Sequence, residues 1–341
     1  MNKKVITFGE IMLRLSPPCY KRIIQTDTFD VTYGGGESNV AVSLANFGIN
    51  SFYATKVPKN PIGQSAINHL RRFGVQTKYI IEDGDRLGTY FLETGFSQRP
   101  SKVIYDRKGS AISEVETGDF NWKEIFQDAD WFHFTGITPA ISDKAALVTL
   151  EACKKAKAMG ITISADINYR KKLWSPNKAS KVMSKLMQYV DIIIGNEEDA
   201  EKVFGIKATN SNVAKGKINI EGYRKVSKEL LDKFKCKYVA ITLRESFSAS
   251  DNGWSGLLYD GINYYFSNKY KIHILDRVGG GDSFVAGLIF ALLQKKLPED
   301  VINFAVAASC LKQTISGDMN LVNVTEVEDL LKNGGSGRVQ R

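Results

Sequence analysis

Short β-rich runs alternate with longer amphipathic stretches along most of this chain, and that rhythm restricts its fold more than any other feature. Residues 5–8, 51–57, 131–135, 162–166, 192–194 and 238–243 read as strands. Between them, 39–47, 64–73, 144–158, 181–189 and 223–234 read as helices, the first three closed by Gly48, Gly74 and Gly160. Strands spaced by helices pair in parallel, so the pattern predicts an α/β fold with a mainly parallel sheet covered by helices. Residues 257–260 and 263–267 predict a hairpin around Gly261. Two stretches, 11–33 and 89–105, alternate polar and apolar residues without helical spacing. They are predicted as strands outside the main sheet, forming a small β-lid over one edge. Residues 210–222 are predicted as a surface loop and the glycine-rich 333–341 as a disordered tail.

With 341 residues, 43% of them hydrophobic, the chain can bury a large core. Met1-Asn-Lys-Lys and the short apolar run behind it do not make a signal peptide. The longest apolar run, 284–293, is about half of a membrane span. Cys19, Cys153, Cys236 and Cys310 lie far apart, which argues against a zinc site or a disulfide framework and for the cytoplasm. The net charge of +9 is spread along helical faces, as in Lys154-Lys155-Ala-Lys157, with no basic run interleaved with aromatics. Nucleic acid is therefore not an expected partner, whereas an anionic small molecule suits the charge.

Gly279-Gly280-Gly281-Asp282 runs straight into an apolar stretch of helical length ending at Leu293. Such a helix start presents unpaired N–H groups and the positive end of the dipole, a site for phosphate. An aspartate held there can take a proton from an attacking hydroxyl, and the pair suggests phosphoryl transfer. Alone, the motif also reads as a glycine turn with Asp282 as its N-cap.

Other motifs must decide. Gly34-Gly35-Gly36-Glu37-Ser38-Asn39 opens the first long helix, where glycines let a ligand approach and Asn39 can bind a hydroxyl. Asp166-Ile-Asn168-Tyr-Arg170 leaves the carboxyl end of a predicted strand, where ligands bind in open α/β sheets. Asn196-Glu197-Glu198-Asp199 follows another strand and reads either as a helix start or as an acidic site for Mg²⁺ and its waters.

Together GGGESN, DxNxR, the acidic motif at Asn196 and DxxGGGDSFVAG at 276–287 resemble, in order and over nearly the whole chain, the signatures of the ribokinase-like (PfkB) carbohydrate kinases. Within that family the chain is most similar to 2-keto-3-deoxygluconate kinases. The resemblance implies a single kinase domain over 1–332, a three-layer α/β/α core, and a β-lid drawn from about 11–33 and 88–110. It implies ATP and Mg²⁺, leaves a monovalent cation open, and implies a homo-oligomer, a dimer through the lid or larger. By the same resemblance Asp282 is the general base and Gly279, Gly280 and Gly281 form the anion hole. Gly35, Gly36, Glu37, Ser38, Asn39, Tyr90, Tyr105, Arg107, Arg170 and Asp318 would meet the sugar. Asn168, Asn196, Thr242, Arg244 and Ser246 would meet the nucleotide and its metal. Arginines near one pocket suit a carboxylate-bearing sugar, since a guanidinium pairs with it bidentately. A kinase of a neutral sugar such as fructose, or a non-catalytic sugar sensor, remains the alternative. Three departures bear on the nucleotide: Asp199 in place of Glu, Leu243-Arg244-Glu245 in place of a glycine turn, and Val306 in place of an Asn.

Overall fold

In the computed structural model, which describes residues 3–208 and 219–335, the strands in chain order are β1 (Lys4–Phe8), β2 (Met12–Ser16), β3 (Asp30–Gly34), β4 (Asn50–Val57), β5 (Ile80–Glu82), β6 (Gly88–Glu93), β7 (Lys102–Asp106), β8 (Trp131–Thr135), β9 (Thr162–Asp166), β10 (Ile192–Gly195), β11 (Tyr238–Ser246), β12 (Asp251–Tyr259), β13 (Tyr264–Phe266) and β14 (Tyr270–His273). The main sheet has the order β13-β12-β11-β10-β9-β8-β1-β4-β5, with β14 also on β12. From β5 to β11 every pairing is parallel, because a helix or a long crossover separates the strands in sequence. β11 and β12 are joined by a tight turn and pair antiparallel.

Side-chain alternation makes this sheet the middle of three layers. Val5, Ile192, Ile194 and Ala240 enter one core with Phe284, Leu288 and Phe304. Their sequence neighbours Ile6, Ile193, Val239 and Ile241 enter the other, with Trp122, Val148, Met183 and Tyr223. The helix Gly280–Leu293 is apolar on every face because it is buried on every face. It lies so close to the helix Pro298–Lys312 that a Cβ on Gly287 would sit 2.9 Å from Ala305 Cα. The chain enters at β1, builds β4 and β5 on one side and then β8 onward on the other. Crossovers therefore diverge between β1 and β8, and a cleft opens at the carboxyl ends of the strands.

Over that cleft lies the second sheet, β3-β2-β6-β7, drawn from residues 12–34 and 88–106. Met12, Arg14, Tyr90 and Leu92 face inward. The cross-strand row Val31, Leu15, Phe91 and Ile104 faces outward.

The predicted strand run 11–33 is interrupted by a 3₁₀ turn at Ile23–Gln25. β5 and the first half of β12, to which the sequence pattern assigns no element, are strands because they pair along the sheet edge and with β11. Of the predicted loop 210–222, residues 220–222 begin the helix Ile220–Phe234, and 210–218 lie outside the described residues. Of the predicted tail, 333–335 form the last residue and glycine cap of the helix Val324–Asn333, and 336–341 lie outside. Among the described residues no helix is long and apolar enough to cross a membrane.

Candidate active site

A cleft of about 700 Å³ runs between the main sheet and the lid. Its floor is the turn into the helix Gly280–Leu293. Gly279 caps that helix with φ 81°, in the left-handed region, and a Cβ there would collide with the Asp318 carbonyl. Gly280 donates its N–H to the Arg277 carbonyl at 3.2 Å, closing the turn. The family resemblance places Gly280 in the anion hole, but this bond occupies its amide. The N–H groups of Gly279, Gly281 and Asp282 have no hydrogen-bond partner among the described residues. A Cβ built on Gly281 meets no heavy atom within 4 Å, so this end is open to a ligand.

Asp282 is half-buried at the first turn of that helix. Asn39 Nδ2 donates to its Oδ2 at 2.7 Å. Burial pushes the Asp282 carboxyl up to about 7, with the Asn39 bond opposing the shift and the charges of Asp318 and Glu37 adding to it. A carboxylate with that value can accept a proton near neutral pH.

The GGGESN motif divides. Gly35, Gly36 and Asn39, expected at the sugar, line the cleft beside Asp282. Gly34 does too, and a Cβ on it would run into the Asp318 carboxylate. Glu37 and Ser38 were expected at the sugar but sit behind the wall. Glu37 Oε1 accepts hydrogen bonds from Thr135 N (2.8 Å), Thr135 Oγ1 (2.8 Å) and Thr138 Oγ1 (2.6 Å), tying the first helix to the end of β8. Ser38 Oγ donates to the Gly35 carbonyl at 3.0 Å.

At the lid end, Tyr90, Tyr105 and Asp318 line the cleft, with the two tyrosine rings 5.9 Å apart. Asp318 accepts hydrogen bonds from the Tyr90 hydroxyl and from Arg14 Nη1. Arg14 Nη2 reaches Asp276 Oδ2 at 2.6 Å, and Arg14 Nε donates to Ser16 Oγ at 2.8 Å. Arg14, Asp276 and Asp318 are each about 5% exposed or less, so this ion-pair cluster is buried. Sequence reasoning missed Arg14, although a charge at an inward position of an alternating strand is a signal. Arg107 was expected at the sugar, but its Nη2 pairs with Glu10 Oε2 and it does not line the cleft. Ser110 Oγ also donates to Glu10, at 2.9 Å, and Arg107 Nε is buried without a partner. Arg170 is exposed in the cleft and forms no ion pair among the described residues.

The far end offers groups suited to a nucleotide. Asn168, Asn196, Thr242, Arg244 and Ser246 line it. Asn168 takes a left-handed φ of 40° and donates through both nitrogens to Asp166 at 3.2 Å. Asn196 caps the helix Glu197–Phe204 in a box with Asp199, whose oxygens accept from Tyr169 N at 2.9 Å and Asn196 N at 3.3 Å. Asp199 is therefore spent on backbone amides, and its neighbour Glu198 is the exposed acid in the cleft. Val306 is fully buried against Gly256 of β12 and does not reach the cleft. Arg277, which sequence reasoning passed over inside its own motif, lines the cleft; burial and the nearby charge of Arg244 lower its pKa. Neither guanidinium has an acidic partner among the described residues, so an anion between them relieves their repulsion. ATP fits this donor set: free amides and two arginines for its phosphates. The described residues contain no cluster of three or more metal-binding side chains. Mg²⁺ fits as an ion carried on the phosphates, with Glu198 and Asn196 within the cleft for its waters.

The family model for pfkB family carbohydrate kinases matches residues 2–324. A solved 2-dehydro-3-deoxygluconokinase from Thermotoga maritima is 51% identical, covers 97% of this chain and 100% of its own, and superposes with a TM-score of 0.94. A 2-dehydro-3-deoxygalactonokinase from Haloferax volcanii is 31% identical over 99% of both chains. A 2-dehydro-3-deoxygluconokinase from Bacillus subtilis is 28% identical, covering 94% of this chain and 92% of the relative. With the free amides of the glycine turn beside Asp282 and a second sheet over the cleft, these likenesses make the chain a member of the pfkB family, an ATP-dependent carbohydrate kinase.

Proposed function

We propose that the protein transfers the γ-phosphoryl group of ATP to the primary hydroxyl of 2-dehydro-3-deoxygluconate, giving its 6-phosphate. Asp282 takes the hydroxyl proton as the oxygen attacks in line, and Asn39 holds that carboxylate in place. The free amides at Gly279, Gly281 and Asp282 receive the moving phosphoryl charge, assisted by the helix dipole. Mg²⁺, when bound, offsets the charge of the phosphates. Tyr90, Tyr105 and Asp318 offer hydroxyl and carboxylate groups to the sugar, and the lid above them excludes water.

Arg170 carries the acid-sugar reading. It is the guanidinium exposed in the cleft whose charge acts on Asp282, as on Asp166 and Asp199, and it forms no ion pair among the described residues. A neutral sugar gives it no counter-charge, whereas the carboxylate of 2-dehydro-3-deoxygluconate does. Arg107 can join only by leaving Glu10. The names of the relatives point the same way, and the Haloferax relative adds the galacto epimer as a second reading.

The test is a panel of both epimers and fructose with ATP, on wild type and Arg170→Ala. A charge-assisted bond is worth about 1.5–3 kcal/mol, so KM for the acid sugar should rise about ten- to a hundredfold in the variant. Preference of the wild type for fructose, or an unchanged KM in Arg170→Ala, would leave the kinase class and remove the acid sugar.

We infer also that two copies pair through the outer face of the lid, where Val31 is 59% and Ile104 54% exposed in an apolar cross-strand row. All four cysteines are free, which suits the cytoplasm, where ATP is made.

A further inference from the structure

Lys312 is 0% exposed and is not part of the chemistry above. It ends the helix Pro298–Lys312, and its ammonium has no carboxylate within ion-pair distance among the described residues. Instead Nζ donates to three backbone carbonyls: Gly317 at 2.6 Å, Asp276 at 3.2 Å and Ile315 at 3.3 Å. Three acceptors match the three N–H bonds of a protonated amine, while a neutral amine would turn a lone pair toward a carbonyl oxygen. Burial lowers its pKa, against which the charges of Asp276, Asp318 and Asp282 support the ammonium and that of Arg14 opposes it.

The three carbonyls belong to the two loops that frame the anion hole. Asp276 begins the turn that leads through Arg277 to Gly279, and Ile315 and Gly317 lead to Asp318. The stem of Lys312 runs beneath that turn: a Cβ on Gly279 would lie 3.3 Å from Lys312 Cε. A positive charge surrounded by backbone carbonyls is also how an alkali cation is held once its water is stripped away. Here the side chain has already filled that role, and the carbonyls that could ligate a metal ion are occupied.

We propose that Lys312 is a built-in cation: its ammonium takes the place of an alkali ion in fixing the anion-hole turn, and the kinase needs no monovalent cofactor. Lys312 is a positioning residue, acting on the phosphate through the turn. The proposal rests on family membership and not on the identity of the sugar.

The experiment measures phosphoryl transfer with whichever sugar the wild type accepts, in potassium chloride and in tetramethylammonium chloride at matched ionic strength. A wrong sugar assignment then appears as missing turnover in the wild type, not as a cation effect. Wild-type turnover is expected to be the same in both salts. Lys312→Met keeps the apolar stem and removes the charge, and its turnover is expected to fall about tenfold or more with its unfolding transition still cooperative. Lys312→Ala opens the space as well. Its lost turnover is expected to return with potassium or methylammonium ions and not with tetramethylammonium, which is too bulky to enter. A several-fold stimulation of the wild type by potassium overturns the proposal. So does full turnover in Lys312→Met, or a folded Lys312→Ala that neither small cation restores. Should Lys312→Ala fail to fold, Lys312→Met and the wild-type comparison decide.

Discussion

As the proposed base, Asp282 works only when ionised, and burial pushes its carboxyl up to about 7. The sign follows: kcat/KM for the sugar should be level above neutrality and fall about tenfold per unit as pH drops below that value. Asn39 donates to Asp282 and thereby supports the ionised form, so Asn39→Ala should move the falling limb to higher pH. Paired pH profiles test this, and a limb that stays in place would deny Asn39 the role. Asp282→Asn should lose about 10²–10⁴ in turnover with sugar and ATP binding, measured by calorimetry, near normal. The two arginines expected at the sugar should also part company. Arg107→Ala leaves Glu10, 2% exposed, without its counter-charge, and breaking a buried pair costs about 3–5 kcal/mol of stability. Arg170→Ala removes an exposed side chain with no ion pair, so denaturant unfolding should barely register it.

At the scale of elements, the glycine turn contains two different glycines. Gly279 is held at positive φ with the Asp318 carbonyl against it, and Gly281 faces open cleft. Gly279→Ala should therefore lower both the melting temperature and turnover. Gly281→Ala should melt like the wild type and lose ATP affinity, because its methyl group occupies phosphate space. Equal melting temperatures for the two variants would refute this division. The turn itself was legible in the sequence as a glycine run ahead of an apolar helix, although its reading as a phosphate site needed the other motifs beside it. So were β1, β8 and β9, whose apolar runs are buried on both faces. Less legible were elements defined by a partner. β5 has three residues and exists because β4 lies beside it; the first half of β12 follows β11. The same limit applied to the site. Asp282, Asn39 and Arg170 stand in local motifs, whereas the engagement of Arg107 by Glu10 crosses 97 positions and that of Asp318 by Arg14 crosses 304. A sequence displays residue types at a spacing; it does not display which distant charge has already claimed them.

For the whole molecule, the lid is a roof over the cleft and, in the pairing inferred above, a docking face as well. If its outer row joins two copies, Ile104→Glu puts a charge into that contact and should shift sedimentation from dimer to monomer, with unfolding of the isolated chain little changed. A wild type that sediments as a monomer would remove the inference. The buried cluster under the same lid has a different kind of consequence. Arg14 comes from β2, Tyr90 from β6, Asp276 from the loop before the glycine turn and Asp318 from the loop after the helix Pro298–Lys312. Changing any one of the four strands the charges or donors of the rest, so their effects on stability cannot add. A lineage descending from this sequence can drift freely on the solvated helix faces, yet it reaches a different arrangement of these four only through intermediates less stable than either end. The distant positions are bound to a common history, and the lid end of the cleft inherits that inertia while its rim is free to diverge.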